Sequence, residues 1–257
     1  MNLLAIDVGN THIVLGIFKG RKLADEWRAE SSGRITGSAL WTHIKLFCAE
    51  SGVSPGALDG VAIASVVPRL TGLLVALSKK RLHRTPLIIS GNLDVGMTIR
   101  YDDPAALGAD RLCNAVAGYE KSGGAVIIAD FGTATTYDVV SKKGEYLGGI
   151  IAPGVETSAA SLFHRAAKLP PVQLQFPKQL IGTNTVACLQ SGIMFGARDS
   201  VDGMIRRLKR EIGRNSRVIA TGGFAGLMAE RSTMIDSVEP ELVLEGARII
   251  FGRVKRG

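Results

Sequence analysis

The chain has 257 residues, enough for one large domain or two smaller ones, each with its own buried core. Hydrophobic residues make up 46% and charged residues 21%, with 31 glycines, which suits an α/β enzyme and excludes disordered, collagen-like and disulfide-scaffold chains. The net charge of +8 fits a solvated basic surface or a nucleic-acid face, but only 5% of residues are aromatic, so stacking on nucleic acid is a weak reading.

In chain order, LLAIDVGNTHIVLGIF comes first. An apolar run, Leu3 to Ile6, ends at Asp7, and Gly9, Asn10 and Thr11 lead into a second apolar run. This predicts a strand, a tight turn with a carboxylate at its mouth, and a returning strand. A third strand is expected over 22–29, a helix over 36–50 from the spacing of Leu40, Ile44, Phe47 and Cys48, a strand over 60–66, a helix over 69–80 and a strand over 85–89. Residues 90–104 carry Gly91, Gly96, Asp102, Asp103 and Pro104 and are expected to be irregular. A helix over 105–121 follows.

AVIIADFGTATTYD, residues 125–138, then repeats the opening pattern, with Asp130, Gly132, Thr133, Thr135 and Thr136 after the apolar run. Strands are expected at 125–130, 134–140 and 144–151, with a helix after Pro153 and a long one over 185–212. A strand at 217–220, a short helix after Gly222, a strand near Met234 and a helix over 240–252 complete the chain. The order β-β-β-α-β-α-β therefore occurs twice. The expectation is a duplicated α/β fold of two ribonuclease H-like domains, 1–117 and 118–257, facing each other across a cleft, the last helix being able to pack back on the first domain.

No stretch approaches the roughly 18 uninterrupted apolar residues of a membrane span. Asp7 interrupts the first apolar run, unlike a signal peptide, so a cytoplasmic location is expected. Cys48, Cys113 and Cys188 are isolated, which fits reduced, mostly buried thiols. His12, His43, His83 and His164 have no metal-ligand spacing, and neither a GxxxxGK[ST] loop nor a GxGxxG fingerprint occurs.

Paired Asp-Gly-Thr hairpins have a specific chemical use. Glycine lets backbone N–H groups approach an anion, threonine hydroxyls add donors, and a carboxylate at the strand end can hold a divalent cation through water. Either hairpin alone could be an ordinary tight turn; two at matching points of a duplicated order point to phosphate. Between them lies LGADR, residues 107–111. Asp110 falls in the first turn of a helix, whose dipole favours the charged carboxylate, and could take a proton from an attacking hydroxyl. Arg111 offers a two-point fork for a substrate carboxylate. A helix-capping acid beside a surface arginine is the plainer alternative. GGIIAPG (148–154) and TGG (221–223) could line a nucleotide pocket or serve as strand-to-helix turns.

DVGNT at 7–11, GADR at 108–111, DFGTATT at 130–136, GGIIAPG, TGG and the connecting KLPPVQL and IGTNTVACLQSGI resemble the bacterial type III pantothenate kinases, of the superfamily of acetate and sugar kinases, heat-shock chaperones and actin. The resemblance implies transfer of the γ-phosphoryl group of ATP to the primary hydroxyl of pantothenate, the first step towards coenzyme A. It implies that Asp7, Gly9, Asn10 and Thr11 hold phosphate and Mg²⁺, that Gly132, Thr133 and Thr135 hold the phosphates from the other side, and that Asp110 is the general base. Tyr101, Gly108 and Arg111 would hold pantothenate. Asp130 would hold a monovalent cation, K⁺ or NH₄⁺. A homodimer is implied as well, with Thr185 of the second subunit closing the pantothenate site. The alternative is a regulatory factor of the same fold acting on transcription, with Arg206 and Arg210 among its DNA contacts.

Overall fold

The computed structural model describes residues 1–31, 35–166 and 168–255. Two compact units emerge: residues 1–120 together with the chain from 241 onward, and residues 121–240.

In the first unit, β1 (Asn2–Val8), β2 (His12–Lys19) and β3 (Lys22–Glu30) form an antiparallel meander. Helix α1 (Gly37–Glu50), β4 (Gly60–Ser65), α2 (Pro68–Leu77) and β5 (Leu87–Ile88) follow, giving the sheet order β3-β2-β1-β4-β5, with β4 and β5 parallel to β1. The pleat sorts the strand residues. Leu4, Ile6 and Val8 join Leu40, Ile44 and Phe47 of α1 and Leu70 and Leu74 of α2 in one core, each fully buried chain worth about 1.5–3 kcal/mol. Asp7 lies on the opposite face, with Leu3 and Ala5.

The helix expected over 69–80 ends at Leu77 and passes into a π turn, Ser78–Leu82, closed by His83 in the left-handed region at φ 53°. Residues 90–104, expected to be irregular, contain the two-residue β6 (Thr98–Ile99). The helix expected over 105–121 is a short 3₁₀ turn, Pro104–Ala106, and then α3 (Ala109–Ser122). The break falls at Leu107 and Gly108, where Leu107 is extended.

The second unit repeats the plan. Strands β7 (Val126–Phe131), β8 (Ala134–Val140) and β9 (Glu145–Pro153) form its meander, followed by α4 (Val155–Arg165), α5 (Thr185–Ile212), β10 (Arg217–Thr221), α6 (Ala225–Ala229) and β11 (Ser237–Val238). Its strands run β11-β10-β7-β8-β9, the same topology as the first unit, with β10 parallel to β7. The duplicated ribonuclease H-like fold is thus present at the level of strand order. Ile127, Ala129 and Phe131 face Met194, Val201 and Ile205 of α5 in a second core.

One boundary differs from expectation. The division falls at 120/121 rather than near 117, and α7 (Leu242–Val254) belongs to the first unit rather than to a domain running to 257. Small residues let it seat there. A Cβ on Gly246 would fall 2.1 Å from the Cys113 carbonyl oxygen on α3, and one on Gly60 of β4 would fall 2.1 Å from Cζ of Phe251. Across β2, Gly16 leaves room for Leu244 in the same way. No described helix is long and apolar enough to cross a membrane.

Candidate active site

The two hairpins occupy equivalent places in their sheets. Asp7 and Asp130 are each the penultimate residue of the first strand of a unit. Asp7 pairs with Val14 and Ala64 on either side, and Asp130 with Thr136 and Thr221. Both carboxylates lie on the sheet face opposite the larger helical core. Each turn is closed by its glycine, Gly9 N–H donating to the His12 carbonyl at 2.9 Å and Gly132 N–H to the Ala134 carbonyl at 3.0 Å. The first connection, 9–11, is one residue longer than the second, 132–133.

Neither turn glycine is required by the fold. Gly9 and Gly132 are absent from the positive-φ residues, and a Cβ at either would meet protein atoms only at ordinary contact distance, 3.4 Å or more. A Cβ could stand at either position without backbone strain or a clash. What glycine does provide is a bare, exposed backbone at the strand ends, with Asn10, Thr11 and Thr133 exposed beside it, which is what close approach by an oxyanion requires.

In the first unit, α3 carries the acid and the arginine. Asp110 Oδ1 accepts from the Arg111 N–H at 2.8 Å, so the carboxylate folds back onto its own helix N-terminus. Arg111 is nine-tenths buried and Asn114 wholly so, while Tyr101 is half-buried on the loop that precedes α3. Cys113, wholly buried one turn after Asp110, reports on the neighbourhood. Its thiol is pushed well above the ordinary value, chiefly by burial and then by the carboxylates of Asp7 and Asp110. Asp7 and Asp110 thus both lie within electrostatic reach of the same buried thiol, and Arg111 follows Asp110 on α3.

The second unit braces its hairpin from two sides, a role that GGIIAPG and TGG did not announce. The Thr133 carbonyl accepts from Gly154 N–H at 3.1 Å and from the Thr157 hydroxyl at 2.7 Å. A Cβ on Gly154 would fall 2.4 Å from the Gly132 and Thr133 carbonyl oxygens, so only glycine lets the start of α4 seat there. On the other side Gly222, at φ 87°, backs Asp130: a Cβ would fall 2.5 Å from its Oδ1. Nothing in the sequence singles out Thr157, because a threonine in the first turn of a helix is common.

Thr135 points elsewhere. It lies on the face opposite Asp130 and Thr136, 5% exposed, in the wall of a cavity of about 490 Å³. Tyr137, Leu162, Cys188, Leu189 and Ile193 also line it. Thr185 is the first residue of α5, beside the Asn184 side chain that caps the helix through Ala187 N–H, and one turn before Cys188. Among the described residues no three His, Cys, Asp or Glu side chains cluster to hold a metal ion. A cation here would take one carboxylate and complete its shell with phosphate oxygens and water, the usual habit of Mg²⁺.

Comparison with known proteins identifies the family. Residues 3–207 match the family model of type III pantothenate kinase. The type III pantothenate kinase of Moorella thermoacetica is 49% identical over 98% of this chain and 99% of its own. Among solved structures, a protein described as a conserved candidate transcriptional activator of the Baf family from Campylobacter jejuni superposes with a TM-score of 0.60 at 17% identity, covering 99% of this chain and all of its own. The activator of the 2-hydroxyisocaproyl-CoA dehydratase from Clostridium difficile, with bound ADPNP, gives 0.59 at 13% identity, covering all of this chain and 96% of its own. At those identities the two structures share the fold alone, so the regulatory alternative gains nothing from them. Sequence identity over nearly the full length and the matched model decide the relationship: the chain belongs to the type III pantothenate kinase family.

Proposed function

We propose that this chain transfers the γ-phosphoryl group of ATP to the primary hydroxyl of pantothenate, giving 4′-phosphopantothenate and ADP, the first step of coenzyme A biosynthesis. The observation that carries the reading is the pair of register-equivalent hairpins whose glycines the fold does not need and a polyphosphate does.

Phosphoryl transfer asks the protein mainly for positioning and charge stabilisation. Asp110 accepts the proton of the attacking hydroxyl as that oxygen bonds to the γ-phosphorus and the bond to the β-phosphate oxygen breaks. Arg111 and Tyr101 bind the acceptor, with Arg111 presenting its fork to the pantothenate carboxylate, and Gly108 keeps the approach to Asp110 open. Gly9, Asn10 and Thr11 take phosphate oxygens, as do Gly132 and Thr133; Thr135, which faces the cavity on the other side of the sheet, is left out of this clamp. Asp7 would hold Mg²⁺, which would supply neutralisation of the charge on the phosphates, and Asp130 would hold the monovalent cation, K⁺ or NH₄⁺.

The working form is a homodimer in the cytoplasm. Leu162, Leu180, Ile181 and Val186 of the second unit are exposed, Ile181 by 81%, and flank the N-terminal end of α5 where Thr185 stands. An apolar surface of this kind is what a second copy would cover. The test is a substrate panel: pantothenate, acetate and hexoses with ATP, Mg²⁺ and K⁺, followed by mass spectrometry of products. Phosphorylation of pantothenate alone is the expected result, and turnover of a hexose or acetate without pantothenate would refute the assignment.

A further inference from the structure

The segment 91–104 leads from the end of the first sheet to the acid on α3, and it is closed at its base. A Cβ on Gly91 would fall 1.8 Å from the Pro104 carbonyl oxygen, so the chain entering the loop touches the chain leaving it, backbone against backbone. Between these points Asp94 Oδ1 accepts from Gly96 N–H at 3.0 Å, Gly96 turns at φ 67°, and Val95 is wholly buried. Tyr101 stands on the returning limb. Such a loop is compact and has a defined shape.

One tie to the rest of the unit comes from the far end of the chain. Arg253 of α7 donates from Nη1 to the Val95 carbonyl at 2.7 Å and from Nη2 to Glu120 Oε2 at 3.0 Å. Glu120 is on α3, the helix that begins with Asp110 and Arg111. The arginine stem runs past Gly96, where a Cβ would fall 3.5 Å from its Cδ. One planar fork therefore joins the loop that carries Tyr101 to the helix that carries the acid, and only guanidinium has donors spaced to reach both acceptors at once.

We infer that Arg253 is a positioning residue for the acceptor site. It sets the Tyr101 loop in register with Asp110 and Arg111, so the C-terminal helix tunes pantothenate binding without touching the substrate. This rests on the pantothenate kinase reading. Glu120 is half-exposed, and a pair so exposed adds little to global stability, so the effect falls on the loop rather than on the fold.

The experiment compares wild type, Arg253→Ala and Arg253→Lys in steady-state kinetics and in hydrogen exchange of amides 94–103. Arg253→Ala raises KM for pantothenate by about tenfold, a loosened rather than displaced contact, while kcat and KM for ATP stay within about twofold. Exchange across 94–103 accelerates in parallel. Arg253→Lys, keeping one of the two bonds, falls between, and it carries the same test if the alanine variant does not fold. Unchanged pantothenate KM with unchanged exchange overturns the inference, as does an equal loss in both substrates' KM values, which a general structural defect would give. If the wild type does not phosphorylate pantothenate, the functional reading fails, and the exchange data alone then decide whether Arg253 holds the loop.

Discussion

The Asp110 carboxylate occupies the space that a side chain on Gly108 would need: a Cβ there would fall 2.6 Å from Asp110 Oδ1. Gly108 is not among the positive-φ glycines, so alanine could adopt its backbone and the conflict is confined to the carboxylate. Gly108→Ala should push Asp110 off its place against the Arg111 N–H. A shift of this size at the reacting group costs about tenfold to a hundredfold in kcat. Thermal unfolding should move by only a few degrees, and kinetics together with a melting curve check both halves.

Asp110→Asn keeps the shape and removes the carboxylate proposed as the base. Turnover should drop by roughly 10²–10⁴ with KM for pantothenate nearly unchanged. Full activity in this variant would exclude Asp110 as the proton acceptor.

Thr157→Val deletes one of the two donors to the Thr133 carbonyl while keeping the volume. A neutral hydrogen bond of this kind is worth about 1 kcal/mol, roughly fivefold in affinity. KM for ATP should rise by that factor, with pantothenate little affected. Thr157→Ser restores the hydroxyl and should restore the value; a valine variant with unchanged ATP kinetics would show that Gly154 alone suffices.

The thiols predict an alkaline limit. Burial pushes Cys48 up to about 11 from its ordinary 9.0 and Cys113 well above that same value. A thiol whose pKa is raised by folding favours the fold while both states are protonated, so stability is full below pH 9 and falls as pH rises past it, where the unfolded chain ionises first. Urea midpoints between pH 8 and pH 10 should decline, with a shallower slope in Cys48→Ala. Cys188 is the exposed thiol and should react alone with a thiol reagent in native buffer. Reaction of all three without denaturant would contradict the burial.

Both hairpins were legible in the sequence because a short apolar run ending in Asp-x-Gly leaves few alternatives to a strand and a turn. The long helix was legible to its last residue, since Asn184 caps it and Gly213 ends it. Three features were not. Which domain α7 docks on, a point the sequence left open, depends on Gly246, Gly60 and Gly16 meeting partners up to 228 residues away, and such contacts leave no local periodicity. The resemblance groups Thr135 with Thr133, yet the pleat turns Thr135 to the face opposite Asp130 and into the cavity wall. The brace on the second hairpin rests on one hydroxyl, Thr157, that no motif distinguishes.

The return of α7 also sets an order of events during synthesis. Residues 121–240 form a contiguous unit whose ends are tied together, Lys121 Nζ lying 3.0 Å from Glu239 Oε2, so that unit can close as soon as residue 240 has left the ribosome. The amino-terminal unit is made first and completed last. Until α7 is added, the Leu3, Ala5 and Asp7 face of its sheet lacks its cover, so a chain truncated after residue 240 would carry a finished second unit and a first unit still open to chaperones.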